Sequence, residues 1–155
     1  MEADSLRDFD IVVYGATGFT GALVAEYLQT HHSEIRWAIA GRSPSKLESV
    51  KKQLGNAELP TIEADSGSAV DMARLAGTAK VIISTVGPYA QHGTKLLEAC
   101  AAEGTHYCDL TGEPQWMAAV FEKVSDMAEE SGARLVHCCG FDSIPSDLGV
   151  FVAHK

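Results

Sequence analysis

Ile11-Val12-Val13-Tyr14-Gly15-Ala16-Thr17-Gly18-Phe19-Thr20-Gly21 joins a short apolar run directly to three glycines spaced three apart. A continuous apolar run of this length suits a strand buried on both faces of a parallel sheet. The glycines then open a segment, Gly18 to Thr30, in which Leu23, Val24, Tyr27 and Leu28 fall on one side of a helix. Strand, glycine turn and helix in that order make a phosphate cradle. Gly15 permits the sharp turn, Gly18 lets backbone N–H groups approach a pyrophosphate, and Gly21 lets the helix pack close to the sheet. The helix N-terminus adds partial positive charge, and Thr17 and Thr20 add hydroxyl donors. Ala16 and Phe19 complete the candidate cofactor-binding turn.

Outward from this unit, strand and helix alternate. Trp37–Ala40 reads as a second strand, closed by Gly41. Ser43 and Pro44 supply an N-cap and a proline at the first helical position, and Leu47, Val50 and Leu54 follow at helical spacing up to Gly55. Leu59–Ala64 reads as a third strand and Ala69–Leu75 as a short helix. Val81–Val86 is the clearest strand. A helix over Gly93–Ala102, a strand at His106–Cys108, a long amphipathic helix over Gln115–Ser131 and a strand at Arg134–Cys139 complete the series. Six strands alternating with helices predict an α/β, Rossmann-type doubly wound sheet, mostly parallel, in three αβα layers.

The end of the second strand selects the nucleotide. An NAD-binding unit places Asp or Glu there to hold the ribose hydroxyls. This chain has Gly41-Arg42-Ser43, where a guanidinium beside a hydroxyl suits a ribose 2′-phosphate, with Lys46 as a second cation. NADP(H) is therefore favoured over NAD(H), the bland alternative being a solvated surface arginine. Asp65, ending the third strand, either faces the adenine or caps the next helix. Gly87-Pro88-Tyr89 follows the fourth strand and should pass the nicotinamide side of the cofactor. Asp109–Glu113 and Gly140–Pro145 follow the fifth and sixth strands, where open α/β sheets bind ligands. Tyr89 and Asp142 are weak catalytic candidates, and Thr111 and Asp142 also fit loop and capping roles. His92 is a surface histidine or a cleft residue. A thiolate at Cys139 would serve a cysteine-dependent, semialdehyde-type reductase.

Composition narrows the classes. The chain has 155 residues, 46% of them hydrophobic, enough for one domain with a real core. Twelve basic residues against twenty-one acidic give a net charge of -9, which argues against general attraction to nucleic acid or to an anionic membrane surface. The charges nearly cancel up to Gly55, so the N-terminal part is locally the more basic. No Cys-x-x-Cys pair occurs, so no metal site is expected. The acidic start resembles neither a signal peptide nor a transit peptide, and no apolar run approaches a membrane span. A cytoplasmic protein, or one on the cytoplasmic face of an organelle, is expected.

GATGFTG, AGRS at Ala40–Ser43, STVGPY at Ser84–Tyr89, YCDLTGE at Tyr107–Glu113 and GFDSIPSDLG at Gly140–Gly149 occur in order along the chain. Together they resemble the saccharopine dehydrogenase-like oxidoreductases, a group that includes the mycobacterial trans-acting enoyl reductases and their eukaryotic relatives. The resemblance implies a dinucleotide-binding domain with Gly15, Gly18, Gly21 and Arg42 at the cofactor. It also implies hydride transfer, linked in some relatives to lipid metabolism and in eukaryotic members to membranes and lipid droplets. Thr17 departs from the Gly-x-Gly-x-x-Gly turn of true saccharopine reductases, which turns the expectation away from saccharopine as substrate. Relatives continue into a domain that binds substrate, whereas this chain stops within an apolar helical pattern (Leu148, Val150, Phe151) that starts at Ser146 or Asp147. Residues 1–155 thus read as an excised N-terminal domain, inactive alone, with a small-molecule or lipid-like substrate held by the missing part. A non-catalytic NADP(H) sensor or scaffold is the alternative. A short-chain dehydrogenase is excluded, since no tyrosine is followed by lysine at the Tyr-x-x-x-Lys spacing.

Overall fold

A computed structural model of the chain describes residues 7–32 and 34–155. Six strands, β1 (Phe9–Tyr14), β2 (Trp37–Gly41), β3 (Thr61–Glu63), β4 (Ala79–Ser84), β5 (His106–Asp109) and β6 (Leu135–Val136), form one sheet in the order β3-β2-β1-β4-β5-β6. All five pairings are parallel. The order reverses between β1 and β4, which opens a crevice at their carboxyl ends. Helices α1 (Phe19–His31) and α2 (Pro44–Gln53) cover one face. The other carries α3 (Ala69–Thr78), α5 (Thr94–Glu103) and α6 (Pro114–Ser131), with the short α4 (Tyr89–His92) after β4. A last helix, α7 (Ile144–His154), follows β6.

The alternation of side chains along β1 divides the core in two. Val12 and Tyr14 join Ile82, Leu96, Tyr107 and Trp116 on one side, while Val13 joins Ala25, Leu28, Ile39 and Leu47 on the other. Both faces of the central strands are sealed, so Val12, Val13, Ala38, Ile39 and Ala40 have no exposed surface. This explains why these strands read as unbroken apolar runs.

Several boundaries differ from the sequence expectation. β4 runs from Ala79 to Ser84 rather than through Val86. Thr85 leaves the sheet because its side-chain hydroxyl donates to the carbonyls of Tyr14 and Gly15, turning the chain into the crevice wall. β3 keeps only Thr61–Glu63 of the expected Leu59–Ala64. β6 is two residues instead of six, because Cys138 takes φ 60° and breaks the extended backbone. Cys138 and Cys139 therefore do not alternate on a strand. Their N–H groups donate to Asp109, Cys138 to Oδ1 and Cys139 to the carbonyl. α7 begins at Ile144, with Pro145 in its first turn, ahead of the expected Ser146 or Asp147. It buries none of its residues against the rest of the chain. No described helix is long and apolar enough to cross a membrane.

Candidate functional site: a cleft at the β1–β4 reversal

Gly15 is held at φ +95°, a region open to glycine. Its N–H donates to the Ala40 carbonyl, and its own carbonyl accepts from Gly18 N–H at 2.9 Å. A Cβ on Gly21 would lie 2.2 Å from the Gly15 carbonyl oxygen, so α1 can rest on the turn only if residue 21 is glycine. The turn thus delivers the start of α1 to the crevice.

That start is free for an anion. Gly18 is the N-cap and no side chain caps the helix, nor is any residue of the first turn acidic. The first intrahelical bond is Ala22 N–H to the Gly18 carbonyl. The N–H groups of Phe19, Thr20 and Gly21 consequently have no backbone partner among the described residues.

A cleft of about 280 Å³ opens there, lined by Tyr14, Gly15, Thr17, Gly18, Gly41, Arg42, Ser66, Thr85, Val86, Gly87 and His92. None of these residues is acidic, in a protein whose net charge is -9. Arg42 makes no ion pair or hydrogen bond among the described residues, so its guanidinium is available. Burial pushes the Tyr14 hydroxyl above its ordinary range, keeping it neutral on the cleft wall. Ser66 Oγ lies 3.2 Å from His92 Nδ1, so this pair ties the β3–α3 turn to α4 across one end of the cleft.

Of the residues expected at the cofactor, Gly15, Thr17, Gly18, Arg42 and Gly87 line this cleft. Ala16 is fully buried in the core, Phe19 points outward at 84% exposure, and Gly21 serves packing. Thr20, Pro88 and Ser43 border the cleft without lining it, and the Ser43 hydroxyl pairs with that of Ser45 at 3.3 Å. Lys46 is exposed on α2 and supplies no second cation to the wall. Asp65 neither lines the cleft nor caps α3. Its Oδ1 accepts from Gly67 N–H at 2.9 Å, and the cap is Ser68, which accepts from Asp71 N–H.

Tyr89 and Asp142 lie apart from the cleft wall. Tyr89 is buried, its hydroxyl donating to the Ser84 carbonyl at 2.9 Å and accepting from Leu110 N–H, and burial pushes it up to about 12. Its hydroxyl joins the β4 and β5 ends and is spent on main chain, which makes it an anchor rather than a proton donor. Asp142 is exposed in the turn before α7. Thr111 is buried, and its Oγ1 accepts from Glu113 N–H. Burial and the neighbouring Asp109 carboxylate raise the Cys139 thiol, the reverse of what an activated nucleophile needs. Among the described residues no His, Cys, Asp and Glu cluster could hold a metal ion.

Ser66 and Tyr14 escaped sequence reasoning because they follow or end strands without a side-chain chemistry that marks a site, and Thr85 and Val86, though inside the Ser84–Tyr89 motif, read as the end of a strand. The position of Ser66 one residue after the expected acid was the available signal.

The model of the saccharopine dehydrogenase NADP binding domain matches residues 11–136. Over 151 residues the chain is 46% identical to the trans-acting enoyl reductase of Mycobacterium leprae and 45% identical to that of Mycobacterium bovis. Each alignment takes in 96% of this chain and 36% of the relative, so the chain spans little more than a third of their length. Among solved structures, saccharopine dehydrogenase (L-Glu forming) from Saccharomyces cerevisiae superposes with a TM-score of 0.72 at 16% identity, over 87% of this chain and 28% of that one. The Citrobacter sp. triphenylmethane reductase complexed with NADP(H) superposes with a TM-score of 0.62 at 16% identity, over 83% and 48%. These two likenesses concern the fold. The motif order, the β1–β4 crevice and the match over most of its length place the chain in the family of saccharopine dehydrogenase NADP binding domains.

Proposed function

We propose that this chain is the NADP(H)-binding domain, residues 1–155, of a longer reductase that transfers hydride to an enoyl group in lipid metabolism. The observation that carries the reading is a cleft with no acidic residue, a free Arg42 and three unpartnered N–H groups at the α1 N-terminus. The Gly15–Gly21 turn and the first turn of α1 would hold the pyrophosphate. Arg42, with Ser43 beside it, would take the 2′-phosphate, and the Thr85–Gly87 segment would support the nicotinamide half. When bound, the cofactor supplies a hydride. The protein's part is to neutralise the phosphates with N–H groups and one guanidinium and to wall the site with Tyr14, Thr85 and Val86.

The small-molecule or lipid-like substrate is held by the rest of the polypeptide, which works in the cytoplasm or on the cytoplasmic face of an organelle membrane or lipid droplet. The names of the mycobacterial relatives support the enoyl class, and the chain alone turns over little. Titration with NADPH and NADH, for wild type and Arg42→Ala, tests the assignment. NADPH should bind roughly 10- to 100-fold more tightly than NADH, and the substitution should remove most of that difference. Equal affinities, unchanged by the substitution, would refute it.

A further inference from the structure

Away from the cleft wall, the ends of β5 and β6 hold a buried carboxylate. The Asp109 side chain has no exposed surface, and four donors converge on it. Oδ2 accepts from the Tyr107 hydroxyl at 2.9 Å and from His137 Nδ1 at 2.7 Å. Oδ1 accepts from the N–H groups of Thr111 at 3.1 Å and Cys138 at 3.2 Å. A carboxylate only accepts, so the imidazole proton at this contact sits on Nδ1 and the ring tautomer is set.

The rest of the ring is placed as firmly. Trp116 meets it edge-on at 5.1 Å between centroids, and Tyr107 at 6.1 Å. Nε2 has no protein partner among the described residues, yet it is not sealed from solvent, and the side chain is 19% exposed. Beside the pair, Ser84 Oγ is buried without a partner, and Ser84 is the register neighbour of Asp109. A backbone strained at Cys138, φ 60°, directly follows His137. Unpartnered buried polar groups and strained backbone gather at functional sites.

The topology puts this pair on the β5 side of the β1–β4 crevice, the side toward which a bound dinucleotide would carry its nicotinamide. Arg42 follows β2, the phosphate turn follows β1 and Gly87 follows β4. A dinucleotide laid along that line carries its nicotinamide toward β5. Asp109 ends β5, one strand from β4, and His137 follows β6, two strand spacings or roughly 10 Å away.

Resting on the reductase reading, we propose that His137, held by the positioning residue Asp109, is the proton donor of the reaction. Saturating a double bond conjugated to a carbonyl takes a hydride at the β carbon and a proton at the α carbon. NADPH, when bound, would supply the hydride and leave as NADP+. The imidazolium gives the proton from Nε2: that N–H bond breaks, a C–H bond forms at the α carbon, and the ring is left neutral, keeping its Nδ1–H donated to Asp109. Water then returns the proton to Nε2. The titratable groups around the ring are Asp109 and Tyr107 of β5 and the adjoining Cys138 and Cys139, the Cys139 thiol lying 3.8 Å from the His137 carbonyl, and the uncharged Trp116 of α6 packs on it.

The test uses the intact reductase containing this chain, with crotonyl-CoA and NADPH. His137→Asn keeps an amide donor for Asp109 but removes the acid, and Asp109→Asn removes the partner. Both should bind NADPH as wild type does. His137→Asn should lose at least about 100-fold in kcat and the alkaline limb of the pH profile. Asp109→Asn should shift that limb. ¹⁵N-histidine spectra without cofactor should show His137 protonated at Nδ1, with Nε2 gaining and losing the proton. A wild type that binds NADPH but reduces no enoyl thioester overturns the reductase reading, and this inference with it. An active wild type whose His137→Asn variant keeps its kcat and pH profile, or a ring protonated only at Nε2, overturns the inference alone.

Discussion

The Glu113 carboxylate accepts the backbone N–H of Tyr89 at 2.7 Å through Oε1, and its Oε2 accepts the next N–H, that of Ala90, at 2.9 Å. A side chain at the start of α6 thereby caps α4 and fixes the segment that leaves the Gly87 wall of the cleft. Glu113→Ala should cost about 1–2 kcal/mol of stability, since it removes the acceptor of one half-buried donor, Tyr89 N–H, and of one exposed donor, Ala90 N–H. Glu113→Gln, which keeps one acceptor, should cost less. Chemical denaturation checks the order. An alanine variant as stable as wild type would show that the cap is replaced by solvent.

Two glycines of the turn should respond differently to alanine. At Gly21 the added Cβ would meet the Gly15 carbonyl oxygen at 2.2 Å, backbone against backbone, so about 3 kcal/mol or more should be lost. At Gly18 the nearest atom is 3.4 Å away. Gly18→Ala should therefore melt near the wild-type temperature while losing NADPH affinity, because the methyl would take space in the cleft where the proposed site holds the pyrophosphate. Thermal melting beside NADPH titration separates the two. Equal loss of stability at both positions would contradict the packing account.

Asp10 is held down to about 2 by hydrogen bonds from Arg36 and then Lys80. Its folded value lies below the unfolded one, so the stabilisation is present above the ordinary carboxylate range and is lost as pH falls from about 4 toward 2. The side chain is 31% exposed, and screening limits the effect to about 1 kcal/mol. Asp10→Asn should match wild-type stability at pH 2 and fall below it at pH 6. A constant difference across that range would remove the ion pair as its cause.

The cysteines should separate by access. Cys139 is exposed, whereas Cys100 has no exposed surface and burial raises its thiol strongly. Iodoacetamide at mildly alkaline pH should label Cys139 first and Cys100 only on unfolding. Peptide mapping over time reads the order, and early labelling at Cys100 would show that α5 opens locally.

The layered fold was legible because its signals are local. Val12, Val13 and Ile39 announce sealed strands by composition, and Pro44, Gly104 and Gly132 mark helix ends. What escaped depends on partners distant in sequence. β4 stops at Ser84 because Thr85 finds carbonyls some 70 residues earlier. β6 stops at Val136 because Asp109, 29 residues before Cys138, draws the following N–H groups out of the ladder. Asp65 carried the expected acid at a strand end, yet its side chain is taken by Gly67, leaving Ser66 on the cleft wall. Arg42 and the glycine turn were legible at the site because chemistry and position coincide there. The pairing of His137 with Asp109 was hidden, since no spacing rule links them.

The bond from Thr85 to the Gly15 carbonyl also sets an order of events during synthesis. β1 has β4, not only β2, as its neighbour, so the turn at Gly15 lacks one flank until residues 79–85 have left the ribosome. Through that interval the nascent chain carries β1, α1, β2, α2 and β3 with one side of β1 uncovered. That open edge presents unpaired backbone N–H and C=O groups between apolar side chains, and it is where a chaperone or a neighbouring nascent chain would meet it. The nucleotide turn is first in the sequence and among the last parts to be braced.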